Sequence, residues 1–134
     1  MSDKLDLHKV IHSSLVKVVP GRFAVAKVQD APSISSYFLI AKDSEETTVV
    51  VEEKQLDALN YQDINKWFKL VEVAVSLPFY AVGLLAAITT AIAQKGLSVL
   101  VVSTFSKDYL LIREQSIDVA IEALSDLGFP IGTT

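Results

Sequence analysis

"VLVVSTFSKDYLLIREQSI", residues 99–117, sets two apolar runs around a polar knot, then a charged pair, then a helix-like segment. The same order recurs 61 residues earlier in "FLIAKDSEETTVVVEEKQL", residues 38–56. Val49, Val50 and Val51 lie over Leu110, Leu111 and Ile112, and Glu53 lies over Glu114. Shared element order at a fixed offset indicates a duplicated ββα unit. The knot holds Ser103, Thr104, Ser106, Lys107 and Asp108. Two readings stay open for it. Ser103, Thr104 and Asp108 can satisfy a hairpin turn among themselves. They can also offer a carboxylate and hydroxyl acceptors to a bound cation or ammonium group.

Working outward, residues 67–76, "WFKLVEVAVS", alternate and read as a strand. A helix is expected over roughly 81–95, closed by Gly96 in the left-handed conformation. Leu85, Ile88 and Ile92 make its heavy stripe, while Ala86, Ala87, Thr89, Thr90 and Ala93 make a small, uncharged side. A helix apolar on both sides is expected to be covered on both. Residues 97–104 are apolar on both faces, which predicts a central strand, and 109–113 return from it. A last helix is expected over 117–127, with Ser116 as N-cap and Gly128 as terminator. Upstream, 4–14 suit a short amphipathic helix. Residues 22–28, 37–42 and 47–52 suit strands, and 53–60 a short helix.

Composition narrows the function classes. The chain has 134 residues, 51% hydrophobic and 21% charged, with a net charge of −4. That is enough apolar material for a packed core. Basic residues are scattered, so nucleic acid and polybasic membrane contacts are not expected as partners. There is no cysteine, which excludes disulfides, thiolate zinc sites and cysteine nucleophiles. The polar N-terminus has no signal-like apolar region, and a cytoplasmic location is the expectation. Residues 73–94 carry no charge and are long enough to span a bilayer. Pro78, Gly83 and the interspersed Ser and Thr residues make strand, turn and helix the better reading.

Strand, helix, strand, strand, helix over 67–127 is a split unit of the ferredoxin-like type. Its fourth strand has to come from the other half or from "FPIGTT". The stretch "LPFYAVGLLAAITTAIAQKGLSVLVVSTFSKDYLLI", residues 77–112, resembles the ACT domain, a small regulatory module that senses amino acids. The marks are Gly83 at the helix start, the small-residue helix body, and "KGLSVLVV" after it. The hairpin is similar to that of small bacterial proteins with two ACT-like halves. It is also similar to the tandem ACT domains of the animal cytosolic arginine sensor.

The resemblance implies an α+β, ferredoxin-like βαββαβ fold with two ACT-like halves. A degenerate half is expected over 1–62 and a full ACT domain over 63–134. It also implies non-catalytic binding of a small molecule, an amino acid, at an interface between ACT units, with regulation as the outcome. The alternative is a ligand-free protein–protein interaction module on the same scaffold. The ligand-binding candidates are Phe79, Tyr80, Val82, Gly83, Leu84, Ser98, Ser103, Thr104, Phe105 and Asp108. A carboxylate would sit on free N–H groups at the helix start near Gly83. An amino group would sit near Ser103 and Asp108. Gly83 has a second reading, which is tight helix–sheet packing. The sequence departs from the family where Ser98 stands in place of a frequent Asn, and where "SLPFYAVG" lacks an acid. The uncharged helix side implies a homodimer, and the regulated partner is unidentified.

Other chemistry is weaker. His8 and His12 share a helix face at a spacing that suits two metal ligands, but nothing completes a site and a surface pair is expected. Arg22 in "PGRF" lacks the glycine-rich loop of the acylphosphatase arrangement. Asn60 and Asn65 are expected outside a suitable strand. No nucleophile stands beside either His. No cofactor, metal or catalytic residue is expected.

Overall fold

The computed structural model describes residues 6–32, 36–75 and 82–132. The elements in order are α1 (Leu7–Ser13), β1 (Leu15–Val18), β2 (Phe23–Val28), β3 (Leu39–Lys42), β4 (Thr47–Glu52), β5 (Asp63–Ala74), α2 (Leu84–Gln94), β6 (Leu100–Ser103), β7 (Lys107–Arg113) and α3 (Ile117–Leu127). Short 3-10 segments lie at Glu53–Ala58 and Glu114–Ser116. The chain divides into two compact units, one from residues 1–20 and 69–134, the other from 21–68. Strand β5 gives its first half to the second unit and its second half to the first.

In the unit of 21–68 the strand order is β3-β4-β2-β5. In the unit of 1–20 and 69–134 it is β6-β7-β5-β1. Numbered by their place in a βαββαβ pattern, both orders read second, third, first, fourth. This is the ferredoxin-like arrangement, and the antiparallel ACT-like fold expected from sequence is what the chain adopts. The fourth strand of the larger unit is β1, paired antiparallel with β5 from Leu15↔Ala74 to Val18↔Val71. Residues 130–132 support β1 rather than replacing it. Val16 N–H donates to the Pro130 carbonyl at 2.9 Å, and Gly132 N–H donates to the Val16 carbonyl at 2.7 Å.

The internal echo is structural. Leu39↔Val50 through Lys42↔Thr47 in the β3–β4 hairpin become Leu100↔Leu111 through Ser103↔Asp108 in β6–β7, each displaced by 61 residues. The turn bonds match too. Asp43 N–H donates to the Glu46 carbonyl at 3.0 Å, and Thr104 N–H donates to the Lys107 carbonyl at 2.8 Å. The segments after the hairpins diverge. The expected helix at 53–60 is a 3-10 segment with no buried residue, whereas α3 buries Ala120, Ala123 and Leu124. Burial of an apolar face, more than propensity, is what sustains a short α-helix.

The larger core collects Val10 and Ile11 of α1, Leu84, Ile88 and Ile92 of α2, and Ala120 and Leu124 of α3. They pack on Val16, Val71, Val73, Leu110 and Ile112 of the strands. The smaller core holds Ala26, Val28, Val49, Val51 and Leu59. Both long helices end in paired capping bonds beyond a left-handed glycine. Gly96 and Leu97 N–H reach the Ala93 and Ile92 carbonyls, and Gly128 and Phe129 reach Ser125 and Leu124.

Three details correct the sequence reading. Strand β6 is not central: it is four residues long, pairs with β7, and stands at the end of its unit's strand order. A run apolar on both faces is shared by central strands and by uncovered edges, so pattern alone does not separate them. The α2 stripe is Leu84, Ile88 and Ile92, with Leu85 turned outward, because spacings of four track one face. Ser116 occupies the N-cap position of α3 without a side-chain bond, since the preceding 3-10 turn already delivers the chain.

Candidate functional site

Strand β7 and the second half of β5 carry apolar residues on their helix-facing side, which leaves the alternate positions to polar groups. Lys107, Tyr109, Leu111 and Arg113 share one side of β7, and Glu72 sits on β5 between buried Val71 and Val73. Glu72 Oε1 accepts from Lys107 Nζ at 3.1 Å and from Tyr109 OH at 3.3 Å. The Glu72 carboxylate bonded to Lys107 holds that ammonium above the ordinary lysine value. Partial burial raises the Tyr109 phenol, and the Glu72 charge raises it further. This trio was missed from sequence. The available signal was a lone acid in "KLVEVAV", a carboxylate in an otherwise apolar strand.

At the hairpin tip Ser103 Oγ donates to Asp108 Oδ1 at 2.7 Å, across a directly paired position. Thr104 closes the turn twice on the Lys107 carbonyl, through its N–H at 2.8 Å and its Oγ1 at 3.2 Å. The structure therefore joins Ser103 with Asp108 and turns Thr104 toward its own loop. Phe105 is exposed at the tip, and Ser98 is exposed before β6.

Helix α2 starts on Gly83, whose φ of +85° is left-handed. Among the described residues a Cβ there would meet nothing nearer than Leu7 Cδ2 at 3.8 Å, and the left-handed backbone by itself calls for glycine. No side chain caps this helix start. Leu84 lies in the core and Val82 is exposed. Phe79 and Tyr80 lie outside the described residues.

A depression of about 370 Å³ in this unit is lined by Ala91, Gln94, Lys95, Ala123, Asp126 and Leu127. None of the ligand-binding candidates lines it. It lies between the C-terminal ends of α2 and α3, where carbonyl groups disfavour an anion. A ligand carboxylate finds the better polarity at the opposite end of α2.

The remaining candidates have structural partners. His12 Nδ1 lies 2.8 Å from the His8 carbonyl, the two rings are 4.2 Å apart, and no cluster of three potential metal ligands occurs among the described residues. The Arg22 guanidinium pairs with Glu53 at 2.5 Å and stacks 4.2 Å over Trp67. That pairing lowers the Glu53 carboxyl. Asn65 lies within β5, opposite Val25, contrary to the sequence reading. Arg22 is nonetheless engaged by a carboxylate rather than facing a phosphate loop.

Residues 64–126 match the ACT domain. The matched span runs from β5 through α2, β6 and β7 into α3. Solved structures give the fold. A Vibrio cholerae protein of unknown function superposes with a TM-score of 0.79 at 22% identity, over 91% of this chain and 95% of that one. An Agrobacterium tumefaciens protein follows at 0.71 and 19%, over 90% and 93%. The regulatory subunit of aspartate kinase from Thermus flavus superposes at 0.65 and 10%, over 84% and 95%. No curated protein matches. No helix among the described residues is long and apolar enough to cross a membrane.

Proposed function

We propose that this protein is a non-catalytic regulatory ACT protein that binds a small molecule, an amino acid, between ACT units of two copies. The observation that carries the reading is the start of α2. Gly83 opens it in a left-handed conformation, and among the described residues no side chain caps its N–H groups. Such a terminus accepts a carboxylate. The amino group is assigned to Asp108, with Ser103 as its hydroxyl neighbour. Ligand binding would shift an association equilibrium by its differential affinity for the two states. The fold shared with an aspartate kinase regulatory subunit supports a regulatory role. The resemblance to bacterial tandem-ACT proteins and to the animal arginine sensor supports the amino-acid class. The halves 1–62 and 63–134 are proposed as the products of the duplication, and the cytoplasm as the compartment.

A thermal-shift screen of the twenty amino acids tests this. A ligand at a hundred times its Kd adds about 2.7 kcal/mol of stability, which raises the midpoint by several degrees in a chain of this size. One amino acid that does so, with the shift abolished by Asp108→Ala, supports the reading. Twenty flat responses overturn the amino-acid class. A second reading, a ligand-free interaction module, is favoured by the exposed Val82, Leu85 and Phe105. In that case the unidentified regulated protein would bind directly.

A further inference from the structure

Helix α1 carries His8 and His12 four residues apart. That spacing sets both imidazoles on one face of a single turn. Their ring centroids are 4.2 Å apart, and both residues are exposed. The His12 ring is held in place. Its Nδ1 lies 2.8 Å from the His8 carbonyl oxygen. A carbonyl oxygen only accepts, so Nδ1 carries the proton and the lone pair of the neutral ring falls on Nε2. A His that ligates a metal almost always gives its other N–H to such a carbonyl or to a carboxylate, which fixes the tautomer and aims the ring. His12 has that partner. Gly128, just past α3, leaves the ring its room, because a Cβ there would lie 2.9 Å from His12 Cε1.

Charge and helix length point the same way. His12 stands in the last turn of α1, where the helix end favours a cation. The helix has only seven residues, well below the roughly 12–15 that an isolated helix needs in water. On its inner side it is ordered by Val10 and Ile11 in the larger core. At its end the Ser13 and Ser14 hydroxyls both donate to the Val10 carbonyl. A chelate across one turn would fasten the exposed side of the same helix.

We infer that His8 and His12 form a chelating site for a divalent late transition ion, with Zn²⁺ as the ion that probes it. His12 binds through Nε2, and His8 turns its exposed ring to the same ion. Two imidazoles four apart on one helix face are the pattern by which a helix grips zinc. Spacing alone supports no more than a surface pair, and the Nδ1 bond is what the structure adds to it. No group of three potential metal ligands occurs among the described residues, so water takes the remaining positions. Imidazole selects such ions over Mg²⁺ and Ca²⁺, which take oxygen ligands. Two side chains and water hold an ion exchangeably, whereas a closed structural site uses four protein ligands. The role of the ion is therefore to fasten α1 when it is present. This goes beyond the amino-acid reading, none of whose residues takes part.

Calorimetric titration of the full chain with zinc chloride is the test, in a buffer that does not bind the ion. It is run on wild type, His8→Gln, His12→Gln and the double variant, each checked for fold by circular dichroism, with magnesium chloride as the control. The expected result is one equivalent of Zn²⁺ per wild-type chain, with a Kd that rises roughly tenfold or more in each single variant. Zinc should also raise the thermal midpoint of the wild type and leave the double variant unmoved. Should His12→Gln disturb the packing at Gly128, His8→Gln carries the test, since that ring is exposed. Equal zinc affinity in wild type and both single variants would put the ion on surface carboxylates and overturn the proposal. So would a wild-type chain with no saturable zinc binding at millimolar concentration, or one that takes magnesium as well as zinc. The amino-acid screen is run without zinc, so the two readings fail separately.

Discussion

The β3–β4 and β6–β7 hairpins share a pairing register residue for residue and a closing turn bond at the same position. They differ in what they were given to do. The first packs a small core under Val49 and Val51 and ends in a turn ordered by Asp43. The second packs Leu110 and Ile112 into a core with helices α1, α2 and α3, and ends in the Ser103–Asp108 pair. The two hairpins share backbone geometry while their side chains differ. Register is fixed by turn type and by which face is buried, and neither depends on the polar residues at the tip.

The largest difference should appear in core truncation. Val49 and Leu110 are equivalent, 61 residues apart, and both are fully buried. Leu110→Ala is expected to cost about 2–5 kcal/mol by chemical denaturation. Val49→Ala removes less and lies in the smaller cluster, so roughly 1.5–2 kcal/mol is expected. Equal losses would break the comparison, because they would mean that the smaller core is packed as tightly as the one under three helices.

Helix ends sharpen it next. Gly96 and Gly128 terminate α2 and α3 with the same capping bonds. At Gly96, φ is +77° and a Cβ would meet nothing within 4 Å among the described residues, so Gly96→Ala is expected to cost about 1 kcal/mol in thermal melts. At Gly128, φ is +117° and a Cβ would lie 2.9 Å from His12 Cε1. Gly128→Ala is expected to cost about 2 kcal/mol, part of it recovered in the double variant with His12→Ala. No recovery would assign the whole cost to the backbone.

Much of this architecture was legible because it rests on period and punctuation. Alternation located β2 and the second half of β5, apolar runs located β4 and β7, and Gly96 and Gly128 marked both helix ends. The echo located equivalent hairpins from low identity, because element order is conserved more readily than side chains. What pattern could not give was position. Nothing in "LSVLVV" distinguishes an edge from a centre, and nothing in "LVKV" announces that residues 15–18 complete a unit whose chain resumes only at Lys69. Those facts are set by long-range pairing. The Glu72–Lys107–Tyr109 trio was hidden for the same reason. Its members are 35 and 37 residues apart and meet only across the sheet.

The smallest expected effect is also the one that contrasts the hairpins most directly, through pH. Asp43 accepts N–H bonds from Glu45 and Glu46, both at 2.8 Å, and those donors hold its carboxyl below the ordinary value of 3.8. A lowered folded value means that the contribution is present above the ordinary carboxylate range and is lost as pH falls through the folded value. In the second hairpin the shifts run upward. Glu72 raises Lys107 above 10.5, while burial and then Glu72 raise Tyr109 above 10.0. Raised folded values mean contributions present below the ordinary tyrosine and lysine values and lost as pH climbs through the folded ones. The two hairpins should therefore loosen at opposite ends of the pH scale, which residue-resolved NMR titration can follow. Tyr109→Phe should flatten the alkaline limb at β7 and leave the acid limb at the Asp43 turn untouched, at a cost of about 1 kcal/mol near neutrality for the lost hydroxyl bond. An alkaline limb unchanged in Tyr109→Phe would assign it to Lys107, and Glu72→Gln would then have to remove it.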